Sequence, residues 1–222
     1  MRWALLCLSV ACSCLAAPAW GAAGVSCHCF RDRTFDPARP AAADPYILAT
    51  AQNTLLSAVA GVEKKSIVQA KMLGTPNEDL WVAHFVAGRT GLRGADLLAA
   101  RGRVATWRAA LADAGVSGKR VGGRFGAALA AGASDGALAS AAVDAVLAAR
   151  LGAPPSALQA LRAAGAGDAE AVAAAVLAAR TGRAPAELYR RVASGETSWG
   201  ELFRGEGVAP ADVDEAVRAL VR

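Results

Sequence analysis

The only local cluster of chemically active side chains in this 222-residue sequence is Cys27-His28-Cys29. Its order does not match Cys-x-x-Cys-His, the pattern that attaches a c-type haem. A closed zinc site needs four ligands, and the remaining histidine, His84, is distant in sequence. Lipid attachment at Cys27 would need a lipobox, and residues 24–26 lack its aliphatic start. Three states of Cys27 and Cys29 therefore stay open: a local or intermolecular disulfide, metal or thiol-redox chemistry, or free thiols.

Patterns that carry catalysis in other proteins are missing from the sequence. It has no nucleophile elbow, no helical histidine pair, no carboxylates paired at site spacing and no glycine-rich cofactor loop. The stretch 115–126, GVSGKRVGGRFG, departs from a phosphate-binding loop because Gly118-Lys119 is followed by Arg120. A small anion-binding loop is the alternative role of this stretch. We predict no catalytic, cofactor-binding or metal-binding residues and expect that the protein is not an enzyme.

The N-terminus has the three parts of a secretory signal peptide: Met1-Arg2, an apolar run over residues 4–20, and small residues at 21–23. The apolar run is shorter than the ~20 residues that a membrane-spanning helix needs, and it contains Pro18. We therefore predict cleavage near Ala23 and a periplasmic or secreted location. The signal peptide, residues 1–23, also carries the other cysteines, Cys7, Cys12 and Cys14.

The charge of the mature chain is mild. Loss of residues 1–23 removes Arg2 and no acidic residue, so the net charge falls from +5 to +4. Blocks of like charge are absent, which argues against an electrostatic footprint for nucleic acid or anionic lipid. We expect no nucleic-acid partner and no membrane span after signal removal.

The stretch 171–208 shows how the chain is built. Val172 and Val176 lie on one helical face, and Gly182 follows that helix where a left-handed stop is needed. Pro185 suits the first position of a second helix, and Trp199 leads a third, short one. Alternating strand patterns do not appear in the sequence. We predict an all-α fold: an irregular array of short helices with helix–Gly turn–helix repeats.

Two upstream stretches resemble pieces of residues 171–208. In the first, Arg89-Thr90-Gly91 matches Arg180-Thr181-Gly182, and Trp107 matches Trp199 after one inserted residue. A middle, abbreviated copy contains Arg150-Leu151-Gly152 and lacks the tryptophan helix. Units of this kind pack on their neighbours. The predicted packing anchors are Leu97, Leu158, Leu188, Trp107 and Trp199.

The predicted domain organisation follows from glycine and proline. Residues 24–43 are irregular, and Asp44-Pro45 caps and starts the first helix. A helical subdomain covers 44–116, a flexible basic linker covers 117–126, and a helical repeat subdomain covers 127–222. Thr75 to Glu78 is predicted as a capping box for the helix that carries His84. His84 has no titratable partner in sequence, which favours a packed or surface histidine.

Residues 178–190, AARTGRAPAELYR, resemble the turn region of bacterial helix-turn-helix DNA-binding domains. The resemblance implies that the helix after Gly182 would contact DNA. The segment departs from that pattern at Ala186 and Glu187, where polar or basic contacts are expected early in the helix. The whole chain is also similar to uncharacterised exported bacterial proteins built of helical repeats, which carry no known activity.

Our first hypothesis is an exported structural or protein-interaction protein, with a protein partner or self-association. The first alternative is a cytoplasmic helix-turn-helix DNA-binding protein, in which the N-terminus would not be a signal. The second is a thiol-redox or metal-binding protein that uses Cys27 and Cys29.

Overall fold

Every regular element of the described chain is a helix. The structure is a computed structural model that describes residues 30–221, and within them it has no strand. The all-α prediction is confirmed. Thirteen α-helices and one 3₁₀ turn follow in this order: α1 (Asp44–Ala60), α2 (Lys64–Met72), α3 (Asn77–Thr90), α4 (Gly94–Arg101), α5 (Trp107–Asp113), α6 (Gly118–Val121), α7 (Gly123–Ala130), α8 (Asp135–Leu151), α9 (Pro155–Ala163), α10 (Asp168–Thr181), α11 (Pro185–Ala193), α12 (Trp199–Gly205), the 3₁₀ turn Pro210–Asp212 and α13 (Val213–Leu220).

Local sequence signals set many of these boundaries. Gly182 ends α10 with φ at 72°, in the left-handed region that glycine enters without a steric penalty. Pro185 then occupies the first turn of α11, where no backbone N–H is needed. Ser198 caps α12: its hydroxyl accepts a bond from the Glu201 N–H, and the Glu201 carboxylate accepts one from the Ser198 N–H.

Two predicted caps are wrong although the helices are present. Asp44 does not cap α1, whose N-cap residue is Ala43, with no side-chain cap bond. The α3 helix begins at Asn77 after Pro76, and no side chain caps it, so the Thr75 to Glu78 capping box is not formed. Asp44 instead bonds to backbone N–H groups of the distant helix α12.

The described helices fall into two halves with the same order of elements. We define residues 44–130 as the first half and residues 135–220 as the second half. The α1 and α8 helices have 17 residues each, and α3 and α10 have 14 each. Corresponding positions lie 91 residues apart: Asp44 and Asp135, Gly61 and Gly152, Gly74 and Gly165, Asn77 and Asp168, Gly91 and Gly182.

This offset changes the alignment of the middle stretch. Arg150-Leu151-Gly152, predicted as part of an abbreviated third copy, lies 91 residues after Val59-Ala60-Gly61. Gly61 and Gly152 share nearly the same φ, 65° and 66°, and each ends a 17-residue helix. The middle stretch therefore corresponds to the end of α1, while α3–α5 corresponds to α10–α12.

The two halves interlock through their first helices. The α1 helix packs against α10 and α13 of the second half, and α8 packs correspondingly against α3 and α7 of the first half. The buried apolar side chains of both halves form one continuous core. The described residues on the two sides of 117–126 therefore share a core, which the predicted division into subdomains did not anticipate.

The aspartates at the start of α1 and α8, which we call the exchanged helices because each packs against the other half, accept hydrogen bonds at the N-termini of α12 and α5. The Trp107 N–H donates to the Asp135 carboxylate at 2.9 Å. The Trp199 and Gly200 N–H groups donate to the Asp44 carboxylate at 3.1 and 2.8 Å. Each carboxylate thus satisfies a helix N-terminus in the other half and lies where the helix dipole favours negative charge.

The basic stretch 117–126, predicted as a flexible linker, is helical. It contains α6 and the start of α7, and its Val121 and Phe125 side chains are buried. Gly118 and Gly126 let the two helices touch: a Cβ at Gly118 would lie 2.3 Å from the Gly126 carbonyl oxygen. Its glycines serve this close approach and the positive φ angles at Gly122 and Gly123, so the composition that suggested flexibility has a packing role.

The predicted packing anchors are all buried. The tryptophans lie at the first position of α5 and α12, and each leucine points inward from the short helix that follows a long one. No helix among residues 30–221 has the length and apolar character that would be needed to cross a membrane. The exposed fractions are 0% for Trp107, 2% for Trp199, 1% for Leu97, 2% for Leu158 and 2% for Leu188.

Candidate functional site

The first sequence-predicted site is outside the described part of the chain. Cys27, His28 and Cys29, together with the signal peptide, precede residue 30, where the description begins. The disulfide, metal and thiol alternatives for the two cysteines therefore stay predictions. Within residues 30–221, no group of three or more His, Cys, Asp or Glu side chains is arranged to hold a metal ion.

A cavity between α3 and α8 brings together the basic side chains His84, Arg89 and Arg150. Its volume is about 340 Å³. His84 and Arg89 come from the last two turns of α3, and Arg150 comes from the last turn of α8. We call this cavity the α3–α8 groove. Its other lining residues are Val59, Phe85, Gly88, Ala145, Val146 and Ala149.

The geometry of the groove places the basic groups over an apolar floor. The Arg89 guanidinium lies over the Phe85 ring, 5.1 Å from its centroid, in a cation–π contact. The His84 ring packs against Gly94, where an added Cβ would lie 3.0 Å from Nδ1. Burial lowers the pKa of His84 below its ordinary value of 6.5, so the imidazole is mainly neutral at pH 7.

The chemistry available in the groove is recognition. None of its described lining residues is a carboxylate, hydroxyl or thiol, so none of them can serve His84 as a nucleophile or acid partner. Arginine side chains beside apolar walls can attract an anion and shield it from water. The sequence predicted a packed or surface position for His84. It gave no sign that Arg150, 66 positions later in the chain, lies beside it.

No family model, curated protein or solved structure matches the chain. The two halves, defined above, can be compared with each other position by position.

The second half contains a charged cluster at the α8–α10 contact. Arg162 donates to the Asp144 carboxylate at 2.8 Å and lies 2.8 Å from the Asp168 carboxylate. The Ser140 hydroxyl also donates to Asp168, at 2.9 Å. These side chains are at most one fifth exposed, so the arginine compensates two carboxylates that have lost most of their hydration.

The corresponding cluster of the first half has lost its carboxylates. Asn53, Lys71 and Asn77 lie 91 residues before Asp144, Arg162 and Asp168. The Lys71 ammonium donates to the Asn53 side-chain oxygen at 2.5 Å, and the buried Asn77 Oδ1 has no hydrogen-bond partner among residues 30–221. No described carboxylate forms an ion pair with Lys71, and burial lowers its pKa to about 8.

Lys71 should make the stability of the protein depend on alkaline pH. Its folded-state pKa of about 8 lies below the ordinary 10.5, so between these values the unfolded chain binds more protons. The free-energy cost of burying the Lys71 ammonium is fully present below pH 8 and decreases as pH rises toward 10.5. We expect the stability of the wild type relative to Lys71→Met to increase over this range, as measured by urea unfolding. A pH-independent difference would contradict the assignment of a buried ammonium.

A second polar link joins α13 to α1 and α2 through Asp214. Burial alone would raise its pKa, but bonds from Lys64, Thr54 and Arg218 lower it to about 2. The Thr54 hydroxyl donates to the carboxylate at 2.5 Å, and Lys64 forms an ion pair with the same oxygen. The link is structural: it fastens the last helix to the exchanged helix α1.

A further cavity of about 380 Å³ lies where the N-terminal segment crosses the end of α12. Phe35 and Arg204 line it, and the Arg204 guanidinium stacks 4.5 Å from the Phe35 ring centroid. The segment from 30 to 43 contributes this wall through turns rather than through a helix.

The segment 178–190 is formed by the end of α10, a three-residue turn and α11. Pro185, Ala186 and Leu188 of α11 are buried. Glu187 is exposed and forms an ion pair with Arg183 at 2.6 Å, which places a negative charge early on this helix. The helix-turn-helix resemblance remains an untested alternative.

Two large apolar side chains stand out on the surface. Met72 is 61% exposed and Leu73 is 87% exposed, and both lie where α2 ends and the chain turns toward α3. The residues 91 positions later are Ala163 and Ala164. Sequence reasoning missed this pair, although a comparison of the two halves would have shown the replacement of alanines by larger apolar residues. We call Met72 and Leu73 the α2 tip.

Proposed function

We propose that the protein is an exported, non-catalytic interaction protein that binds a protein partner through the α2 tip. The observation that carries the proposal is the exposure of Met72 and Leu73 on a chain whose other large apolar side chains are buried or partly buried in the described residues. Such surface is unfavourable in water and becomes favourable when a partner covers it.

The contrast between the two halves supports this role. Ala163 and Ala164 show that the same helix end folds without large apolar side chains. Fold stability therefore gives no reason for Met72 and Leu73 to be large. Lys65 and Gln69 lie on the same face of α2 as Met72, so the tip has a polar border, as interface centres commonly have.

The proposal predicts position-specific cross-linking. A photoreactive phenylalanine derivative at Met72, introduced into the protein produced by its own host, should give a discrete cross-linked species. The same substitution at Ala163, the corresponding exposed position of the second half, should give none. Mass spectrometry then separates a second copy of this chain from another envelope protein.

The cross-linking results decide whether the α2 tip is an interface. A Met72-specific product that disappears in a Leu73→Ser background supports the proposal. Equal products at positions 72 and 163, or none at 72, contradict it. Leu73→Ser should leave thermal unfolding almost unchanged, because an exposed side chain contributes within about 0.5 kcal/mol of stability.

Export is the other part of the proposal, and it is supported by the sequence pattern of residues 1–23. The intact mass of the protein from its host should correspond to a chain that begins within a few residues of Ala23. Full-length chain in the cytosol would remove the basis for export and would favour the DNA-binding alternative. Tight, salt-sensitive binding to duplex DNA would then be expected of the full-length protein.

A further inference from the structure

We infer that two oppositely charged faces of this chain bind each other between copies, so that the protein associates with itself head to tail. The basic face is the exposed surface of residues 107–124, which include α5, α6 and the start of α7. The acidic face is the exposed surface of residues 199–216, which include α12, the 3₁₀ turn and the start of α13. Neither face contains the α2 tip, so this self-association is independent of the proposed function.

The basic face has an excess of cations. Among residues 107–124, Asp113 is the one acidic side chain. The α6 and α7 helices touch at Gly118 and Gly126, which brings the basic side chains of these two helices together. The Arg108 guanidinium extends to the far end of α7, because a Cβ at Gly132 would lie 2.9 Å from its Nη1. The basic residues of this face, all of them exposed, are Arg108, Lys119, Arg120 and Arg124.

The acidic face has the opposite excess. Among residues 199–216, Arg204 is the one basic side chain, and its guanidinium stacks on Phe35. The α12 helix contacts the 3₁₀ turn, which leads directly into α13, so the acidic side chains lie on adjoining elements. Asp214 is already paired with Lys64 and Arg218. The other acidic residues of this face, all of them exposed, are Glu201, Glu206, Asp212 and Glu215.

The exposed charges of the two faces are not neutralised by ion pairs in the described part of the chain. Among residues 30–221, no carboxylate forms an ion pair with the four cations of the basic face, and no cation forms one with the four exposed carboxylates of the acidic face. Arg120 donates instead to the Thr90 carbonyl, at 3.0 Å. Each face therefore presents its charge to solvent, where a surface of opposite sign can pair with it.

The two faces lie at corresponding places in the two halves. After the one inserted residue, corresponding positions are 92 residues apart: Trp107 and Trp199 each begin a helix, and Gly115 and Gly207 have φ angles of 66° and 72°. Because the faces belong to different halves, one copy can present its basic face to a second copy and its acidic face to a third. Such a contact is heterologous, and it builds rings or open chains.

The presence of both faces determines which partner the charges fit. A nucleic acid or an anionic lipid surface would attract the basic face, but it would repel the acidic face of the same molecule. A second copy of the chain matches both faces. Individual exposed ion pairs contribute little, so the association needs several of them at once and weakens as salt screens them.

Charge reversal of each face, in protein produced by its own host, tests this self-association. Lys119→Glu with Arg124→Glu gives a chain with two acidic faces, and Glu206→Lys with Glu215→Lys gives a chain with two basic faces. These four side chains form no ion pair among residues 30–221, so both double variants should keep the wild-type circular dichroism and unfolding midpoint. Sedimentation velocity at low and moderate salt measures the association.

The wild type should associate at about 20 mM salt and at least tenfold more weakly at about 300 mM salt. Each double variant alone should associate at least tenfold more weakly than the wild type. An equimolar mixture of the two should associate again, because an acidic face then meets a basic one. Arg190→Glu, on α11 outside both faces, is the control for Arg124→Glu and should change the association less than twofold.

A wild type that stays monomeric at low salt overturns the inference, and so does a mixture of the double variants that associates no more than its components. Binding of a monomeric wild type to duplex DNA or to anionic vesicles would show that the basic face serves a polyanion instead. If a double variant folds poorly, the single reversals Arg124→Glu and Glu206→Lys, alone and mixed, make the same comparison.

Discussion

Replacing Trp107 or Trp199 by alanine should lower the free energy of unfolding by about 3–5 kcal/mol, the usual range for a large aromatic side chain removed from a core. Both side chains are essentially buried, and each begins a short helix whose N-terminus is capped by an aspartate of the other half. The cavity would therefore open at the contact between the halves. Urea unfolding followed by circular dichroism measures the loss.

Two comparisons make the tryptophan prediction specific. Trp107→Phe should lower the free energy of unfolding less than Trp107→Ala, because phenylalanine keeps most of the ring volume. It should still be destabilising, because it removes the hydrogen bond of 2.7 Å that the indole N–H donates to Asp79. Leu73→Ala should be nearly neutral, since that side chain is 87% exposed. An unchanged unfolding midpoint in both tryptophan variants would show that these helices do not hold the halves together.

Replacing Arg162 by methionine should lower the free energy of unfolding by about 3 kcal/mol or more at pH 7. The substitution keeps much of the side-chain volume but leaves the Asp144 and Asp168 carboxylates largely buried without a cation. Removal of one partner from a buried ion pair is destabilising because the remaining charge keeps its desolvation penalty. Chemical denaturation at pH 7 measures this loss.

The first half supplies the rescue for this variant. Asp144→Asn and Asp168→Asn, added to Arg162→Met, remove both unpaired charges and copy the amides that occupy positions 53 and 77. The triple variant should recover most of the stability that Arg162→Met loses. A triple variant no more stable than the single one would show that packing, and not charge, accounts for the role of Arg162.

Local interactions explain which features could be predicted from the sequence. The stop at Gly182, the start at Pro185 and the Ser198 capping box each depend on residues within about one helical turn, so their spacing carries the information. The same reasoning failed at Asp44. Its carboxylate bonds to Trp199, 155 positions away, and nothing in the neighbouring sequence indicates that partner.

The recurrence of the halves was partly visible in the sequence. The match of Arg89-Thr90-Gly91 with Arg180-Thr181-Gly182 spans 91 residues, the distance that also separates corresponding helix ends, but alanine-rich helices resemble one another and also suggested a third copy around Arg150. The matching φ angles of Gly61 and Gly152 showed that the stretch around Arg150 corresponds to the end of α1. A glycine in the left-handed region marks a helix end whatever the composition around it.

The sequence by itself indicated that the described chain is helical, where several of its helices end, and that five named tryptophan and leucine side chains pack inward. Only the tertiary structure decided that α1 and α8 each pack against the other half, that no described carboxylate pairs with the buried Lys71, and that His84 meets Arg89 and Arg150 in one groove. The physical reason is the range of the interactions. Helix termini are set by neighbouring residues, whereas the pairing of alanine-rich helices depends on shape and on side chains far apart in the chain.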